Sequence, residues 1–173
     1  MGKKILIQKN TMGDTRTAER MPTIDEFDQA NEWHKNDVRE LMGKMARMLT
    51  ERAKKHDWTK TTDPYRSMFY AAMASAMSGG SDFMNSEWAS LHYYELERHH
   101  LSRNVPEDVN LIDVIEMICD IIAASAARSG EVPPKKEIII PDTVLRRAIS
   151  NTVDMLCESV KLLGWESGED GKL

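Results

Sequence analysis

TIDEFDQANEWHKNDVRELMGKMARMLTERAKK, residues 23–55, is the stretch that decides the fold. Thr23 is a good N-cap, and Glu26 three positions later completes a capping box. His34, Val38, Leu41, Met45 and Met48 then recur at three- and four-residue steps, so they share one face of a helix. Working outward, residues 63–78 read as a second helix opened by Asp63-Pro64 and stopped by Gly79-Gly80, and residues 86–101 as a third. A fourth runs from Asn110 or Leu111 to Ser129 and ends at Gly130. The last starts at Asp142, carries Val144, Leu145, Ala148, Ile149, Leu156, Val160 and Leu163 on one side, and ends at Gly164. The expected fold is an all-α helical bundle. The β-prone residues 4–8 and 137–140 are the candidate strands of a small ribbon. The domain reading is an N-terminal strand and loop over 1–22, a helical domain over 23–166 and a flexible tail over 167–173.

The 173 residues suffice for one domain with a real core, and 41% hydrophobic with 29% charged residues is a globular balance. A net charge of −5 argues against a grip on extended nucleic acid, which needs a basic face. No apolar run reaches a membrane span, and the short run 5–7 is too brief for a secretory signal. Cys119 and Cys157 lie in apolar helical patterns and read as reduced core residues of a cytoplasmic protein.

The chemistry lies in the histidines. All five fall in one order with acidic residues: His34, His56-Asp57, His92, His99-His100, then Asp120. Imidazole and carboxylate are the common ligands of zinc, iron, manganese, cobalt and nickel. Asp120 sits in the apolar run IEMICDIIA, read as a helix close to buried all round, where an unpaired carboxylate is costly. Glu116 lies one turn earlier on the same face, and Asp113 seven before Asp120, near the helix start, where an acid complements the dipole. His92 and His99, seven apart, are expected two turns apart on one stripe with Glu95 between them; His100 flanks the stripe and diverges from His99. Trp33 and Trp58 adjoin the proposed ligands, and Trp58 is a candidate wall of a substrate pocket.

The order His, His-Asp, His, His-His, Asp on a helical scaffold resembles the HD-domain superfamily of metal-dependent phosphohydrolases, and His56-Asp57-Trp58-Thr59-Lys60 is similar to its His-Asp-x-x-Lys form. The blocks around His56, His92–His100 and 114–124 also resemble a small HD-like family of phages and bacteria. The resemblance implies an HD-type bundle in which His34, His56, Asp57 and Asp120 bind a first divalent transition metal. It implies that Asp57 bridges to a second ion held by His92 and His99, with His100 either a further ligand or a contact to substrate. Lys60 would then meet a phosphate, and Glu116, Asp57 or Asp113 would orient the attacking water. The Gly-Tyr-Pro element of the cyclic-dinucleotide enzymes in this superfamily is absent, so that cleavage is not expected.

The implied activity is hydrolysis of a nucleotide or another small phosphate ester through a metal-activated water, with Lys60, His100 and Glu116 as catalytic groups and Lys60, Trp58 and His100 against substrate. Two other classes stay open: an HD-type di-iron oxygenase, and a non-catalytic nucleotide-binding accessory protein of a phage, working in the host cytoplasm. A homodimer is left open.

Overall fold

The computed structural model describes residues 4–130, 132 and 139–164. The element order is β1 (Ile5–Gln8), α1 (Ile24–Lys55), α2 (Trp58–Thr61), α3 (Tyr65–Met77), a 3₁₀ turn (Phe83–Asn85), α4 (Glu87–Ser90), a π-helical turn (Leu91–Leu96), α5 (Leu111–Ser129), α6 (Asp142–Cys157) and β2 (Val160–Leu163). The chain is mostly helical, with one two-stranded ribbon, as expected. Two compact units share it: Met1–Arg47 with Asp154–Leu173, and Met48–Val153.

In the first unit β1 and β2 pair in parallel, in register Ile5 with Val160 through Gln8 with Leu163. The expected partner of β1 was 137–140. Residues 137 and 138 lie outside the described ones, and Ile139 and Ile140 are in no regular element. The true partner, 160–163, reads in sequence as a continuation of the last helix. The helix closes earlier, with the Ser159 amide donating to Leu156 O at 2.9 Å, and the chain then runs extended. The reading of 10–20 as a loop holds, since these residues form turns and bends. The capping box at the start of α1 forms as expected: Thr23 N donates to Glu26 Oε2 at 2.9 Å and Glu26 N to Thr23 Oγ1 at 3.3 Å. The tail over 167–173 lies outside the described residues.

The core of the second unit gathers Leu101, Val109, Val114, Met117, Val144 and Ala148 from α5, α6 and the segment before α5. Asn110 caps α5, its Oδ1 accepting from Ile112 N at 2.9 Å, while Asp113 Oδ2 accepts from Asn110 N at 3.0 Å. Asn151 Nδ2 donates to Val109 O at 2.8 Å and ties α6 to the segment that leads into α5. A second, aromatic cluster stacks Phe69 and Phe83 against Trp88, and Trp88 against His92. Neither cysteine is a core residue: both thiols are free and exposed, Cys119 because α5 is buried at its start and opens toward its end, Cys157 as the last residue of α6. Among the described residues no helix is long and apolar enough to cross a membrane.

Candidate metal centre

The end of α1 sets up the site. After Lys55 the chain leaves the helix, and Asp57 takes a left-handed conformation, φ 53 and ψ 32. That region costs an L-residue roughly 1–2 kcal/mol, although aspartate tolerates it better than most. On a regular helix adjacent side chains diverge by about 100°. At this turn His56 Nε2 and Asp57 Oδ2 instead lie 3.5 Å apart, so both side chains serve one place.

The next two histidines also come from irregular backbone. His92 lies in the π-helical turn, and at Glu97 the chain is already extended, φ −102 and ψ 115. His99 and His100 therefore sit in a tight turn, closed by Leu101 N to His99 O at 2.9 Å and Arg103 N to His100 O at 2.8 Å. The expected single helical stripe through His92 and His99 does not exist. Release from the helix lets His99 and His100 both face Asp57, which a helical pair of neighbours could not do.

Around Asp57 the ligand atoms converge in two groups. His56, Asp57 and His99 form one; Asp57, His92 and His100 form the other, each with its atoms within 4.8 Å of one another. Asp57 Oδ1 is 3.6 Å from His92 Nε2 and 3.7 Å from His99 Nε2. His92 Nε2 and His100 Nε2 are 2.9 Å apart. Asp120 Oδ1 stands 3.5 Å from His56 Nε2. An ion bonded at about 2.0–2.1 Å holds neighbouring ligand atoms roughly 3.0–3.4 Å apart, close to these spacings. Asp57 Oδ1 and both ring nitrogens of His99 are buried with no hydrogen-bond partner among the described residues. Buried polar atoms are seldom left so, and a carboxylate oxygen aimed at imidazole nitrogens fits a divalent cation.

The surroundings hold the rings. Glu116 Oε1 is 3.1 Å from His56 Nδ1 and 3.5 Å from His99 Nδ1, and its Oε2 accepts from Arg52 at 2.9 Å. Arg52 also donates to Asp113 Oδ1 at 2.5 Å, and Arg98 clasps both oxygens of Asp113 at 2.9 and 2.8 Å. Asp113 is thus a fully buried hub between two arginines rather than a simple helix-dipole acid. Lys60 forms an ion pair with Asp57 Oδ2. Burial favours the neutral form of Asp57, but the bonded Lys60 ammonium and the nearby His56 and His92 hold its carboxyl below the usual value. Burial pushes His92 down to about 4 and His100 to about 3, so both stay in the neutral form that a metal ligand needs. Burial opposes the charge on His99, yet Glu116, Asp57 and Asp120 carry its net shift upward. Glu116 is raised by burial and lowered more by His99, Arg52 and His56, to about 2.

Of the expected ligands, His56, Asp57, His92, His99 and Asp120 come together in the second unit, and His34 belongs to the first. His34 lines a cavity of about 550 Å³ in the first unit with Lys9, Asp14, Arg16, Trp33 and Asp37. The division of the rest also changes: His99 joins His56, and His100, expected beside substrate, joins His92. Glu116, expected to act on water, is committed to Arg52 and the histidine rings. Trp58 packs edge-on against Tyr65, ring centres 5.1 Å apart, and is half-buried. Beside the cluster a cavity of about 370 Å³ is walled by Leu49, Ala53, Ile115, Cys119 and Ala123, with Arg52, His56, Glu116 and Asp120 on its polar side.

Sequence reasoning missed Arg52, Arg98, Thr59, Glu97 and Trp88. Only Thr59 carried any signal, by lying inside the His-Asp-x-x-Lys stretch.

Fold and site together define a class: a helical protein with a cluster of four histidines, two of them buried, around a shared aspartate that could hold a metal ion. The chain belongs to DUF5662, a family of unknown function, which matches residues 23–155. No curated protein and no solved structure matches it.

Proposed function

We propose that this protein is a metal-dependent phosphohydrolase of the HD type, acting on a nucleotide or another small phosphate ester in a cytoplasmic setting. The observation that carries the reading is Asp57 Oδ1, a buried oxygen without a hydrogen-bond partner among the described residues, facing His92 Nε2 and His99 Nε2. His56, Asp57, His99 and Asp120 would hold one divalent ion, and Asp57, His92 and His100 a second. Ions bound there supply Lewis acidity and lower the pKa of a coordinated water to about 7. A ligand set this rich in imidazole suits manganese, iron, cobalt, nickel or zinc better than magnesium.

The chain's own residues do the rest. Glu116 orients His56 through Nδ1, which leaves Nε2 to face the site. Asp120, partly exposed and lining the cavity, has a free oxygen to accept a proton from water in the site. Lys60 places an ammonium at Asp57, in position to pair with a non-bridging phosphate oxygen. Leu49, Ile115 and Ala123 give the cavity an apolar wall beside the cluster.

Elemental analysis of the purified protein, with a phosphate-release screen over mono-, di- and triphosphates, tests this. Bound transition metal and release of phosphate are expected. A metal-loaded protein that releases none from the panel ends the phosphohydrolase reading. If the metal is iron and the visible spectrum changes on adding oxygen, the oxygenase reading takes its place.

A further inference from the structure

We infer that Thr59 and Glu97 are positioning residues for one half of the cluster only: they fix the His92 ring, and with it the second ligand group, independently of Glu116. This rests on the metal reading above.

Thr59, Glu97 and His92 form one buried chain of hydrogen bonds, in which each proton can be placed. Thr59 and His92 are fully buried, and Glu97 nearly so. Glu97 Oε1 accepts from Thr59 N at 3.1 Å and from Thr59 Oγ1 at 2.9 Å. Glu97 Oε1, which receives the Thr59 N–H, is the acceptor of the hydroxyl as well, so the single hydroxyl proton of Thr59 is used on Glu97. Thr59 Oγ1 also lies 2.7 Å from His92 Nδ1. With its proton committed, the hydroxyl must accept there, which places the imidazole proton on Nδ1. The neutral ring then carries its lone pair on Nε2, the atom that faces Asp57 Oδ1 and His100 Nε2. Trp88 stacks on the ring, centres 4.4 Å apart and planes 16° apart, so it cannot turn over.

The first ligand group is held by different atoms. His56 Nδ1 faces Glu116, which is anchored by Arg52. Among the described residues no hydrogen bond links the Thr59–Glu97 pair to Glu116. Outer partners of metal-binding histidines typically change metal affinity 10–100-fold. The two halves should therefore lose metal separately.

The test is equilibrium dialysis of the full chain against cobalt(II), with metal per chain and the visible cobalt spectrum as readouts. Thr59→Val keeps the shape and the backbone bond to Glu97 but offers His92 no acceptor. The expected result is one site weakened about 10–100-fold while the other keeps its affinity and its share of the spectrum. Thr59→Ser restores both. Long-range proton–nitrogen NMR of the metal-free wild type reads the His92 tautomer directly, without any variant, and should find the proton on Nδ1. Thr59→Val binding both ions as the wild type does, or losing both equally, overturns the inference, as does a proton on Nε2. A wild type that binds no cobalt ends the metal reading instead, and the tautomer result then stands on its own.

Discussion

Helix α1 carries His34 next to Trp33, and His56, Asp57 and Trp58 follow directly after its end; the two histidines behave differently. His34 stays on regular helix, exposed, on the wall of a cavity with charges of both signs. His56 sits where the helix has stopped, against Asp57 in a left-handed turn, with Glu116 on one ring nitrogen and Asp57 and Asp120 near the other. The other gathered histidines follow the same rule: His92 is on a π-helical turn, and His99 and His100 in a tight turn. Regular helix spreads neighbouring side chains around its axis; broken backbone can point them at one spot. The lesson is that residue order named the candidates, while departures from regular structure selected among them.

The largest effect expected from breaking this contrast is at Asp57. Asp57→Ala removes the oxygens shared by both ligand groups, and metal retained after dialysis should fall from the wild-type level to background, by elemental analysis. Retention of even one full equivalent would show that the groups do not depend on Asp57. Next comes Asp113→Ala, which leaves Arg52 and Arg98 without their buried partner. Breaking a buried ion pair costs on the order of 3 kcal/mol, a fall of roughly 8 °C in the thermal midpoint for a chain of this size. An unchanged midpoint would remove that hub from the account of how the site is held.

A smaller effect separates backbone from side chain. Asp57→Gly and Asp57→Ala lose the same carboxylate, but only glycine accepts φ 53 freely. In metal-free protein the glycine variant should be the more stable by about 1 kcal/mol in denaturant unfolding. Equal stability would mean the turn relaxes without cost. The smallest effect is at the other end of the helix: His34→Ala should leave metal content unchanged and stability within about 0.5 kcal/mol. Loss of an ion there would restore His34 to the site.

These contrasts also mark what was legible in the sequence. The α1 capping box at Thr23 and Glu26, and the limits of α5 at Asn110 and Gly130, were readable because short-range chemistry fixes them. His56 and Asp57 were readable because a His-Asp pair needs a reason; Asp120 was readable as a carboxylate in an apolar run, although its helix is not buried all round and Asp120 is partly exposed. The partner of β1 was not, because four residues with helix-like apolar spacing look the same whether or not the helix has ended. The pairing of His99 with His56 and of His100 with His92 was hidden for a related reason: helical spacing was extended through a segment that leaves the helix at Glu97. Arg52 and Arg98 gave no signal, since their partner Asp113 is defined only by contacts between distant parts of the chain.

Lys60 carries one more consequence. It grips Asp57 Oδ2, while Oδ1 is the oxygen left without a hydrogen-bond partner among the described residues. Lys60 can keep its place while only Oδ1 is engaged, and must let go once Oδ2 is engaged as well. Under the proposed metal reading, the reactivity of its amine toward an acylating reagent would report whether Oδ2 is engaged.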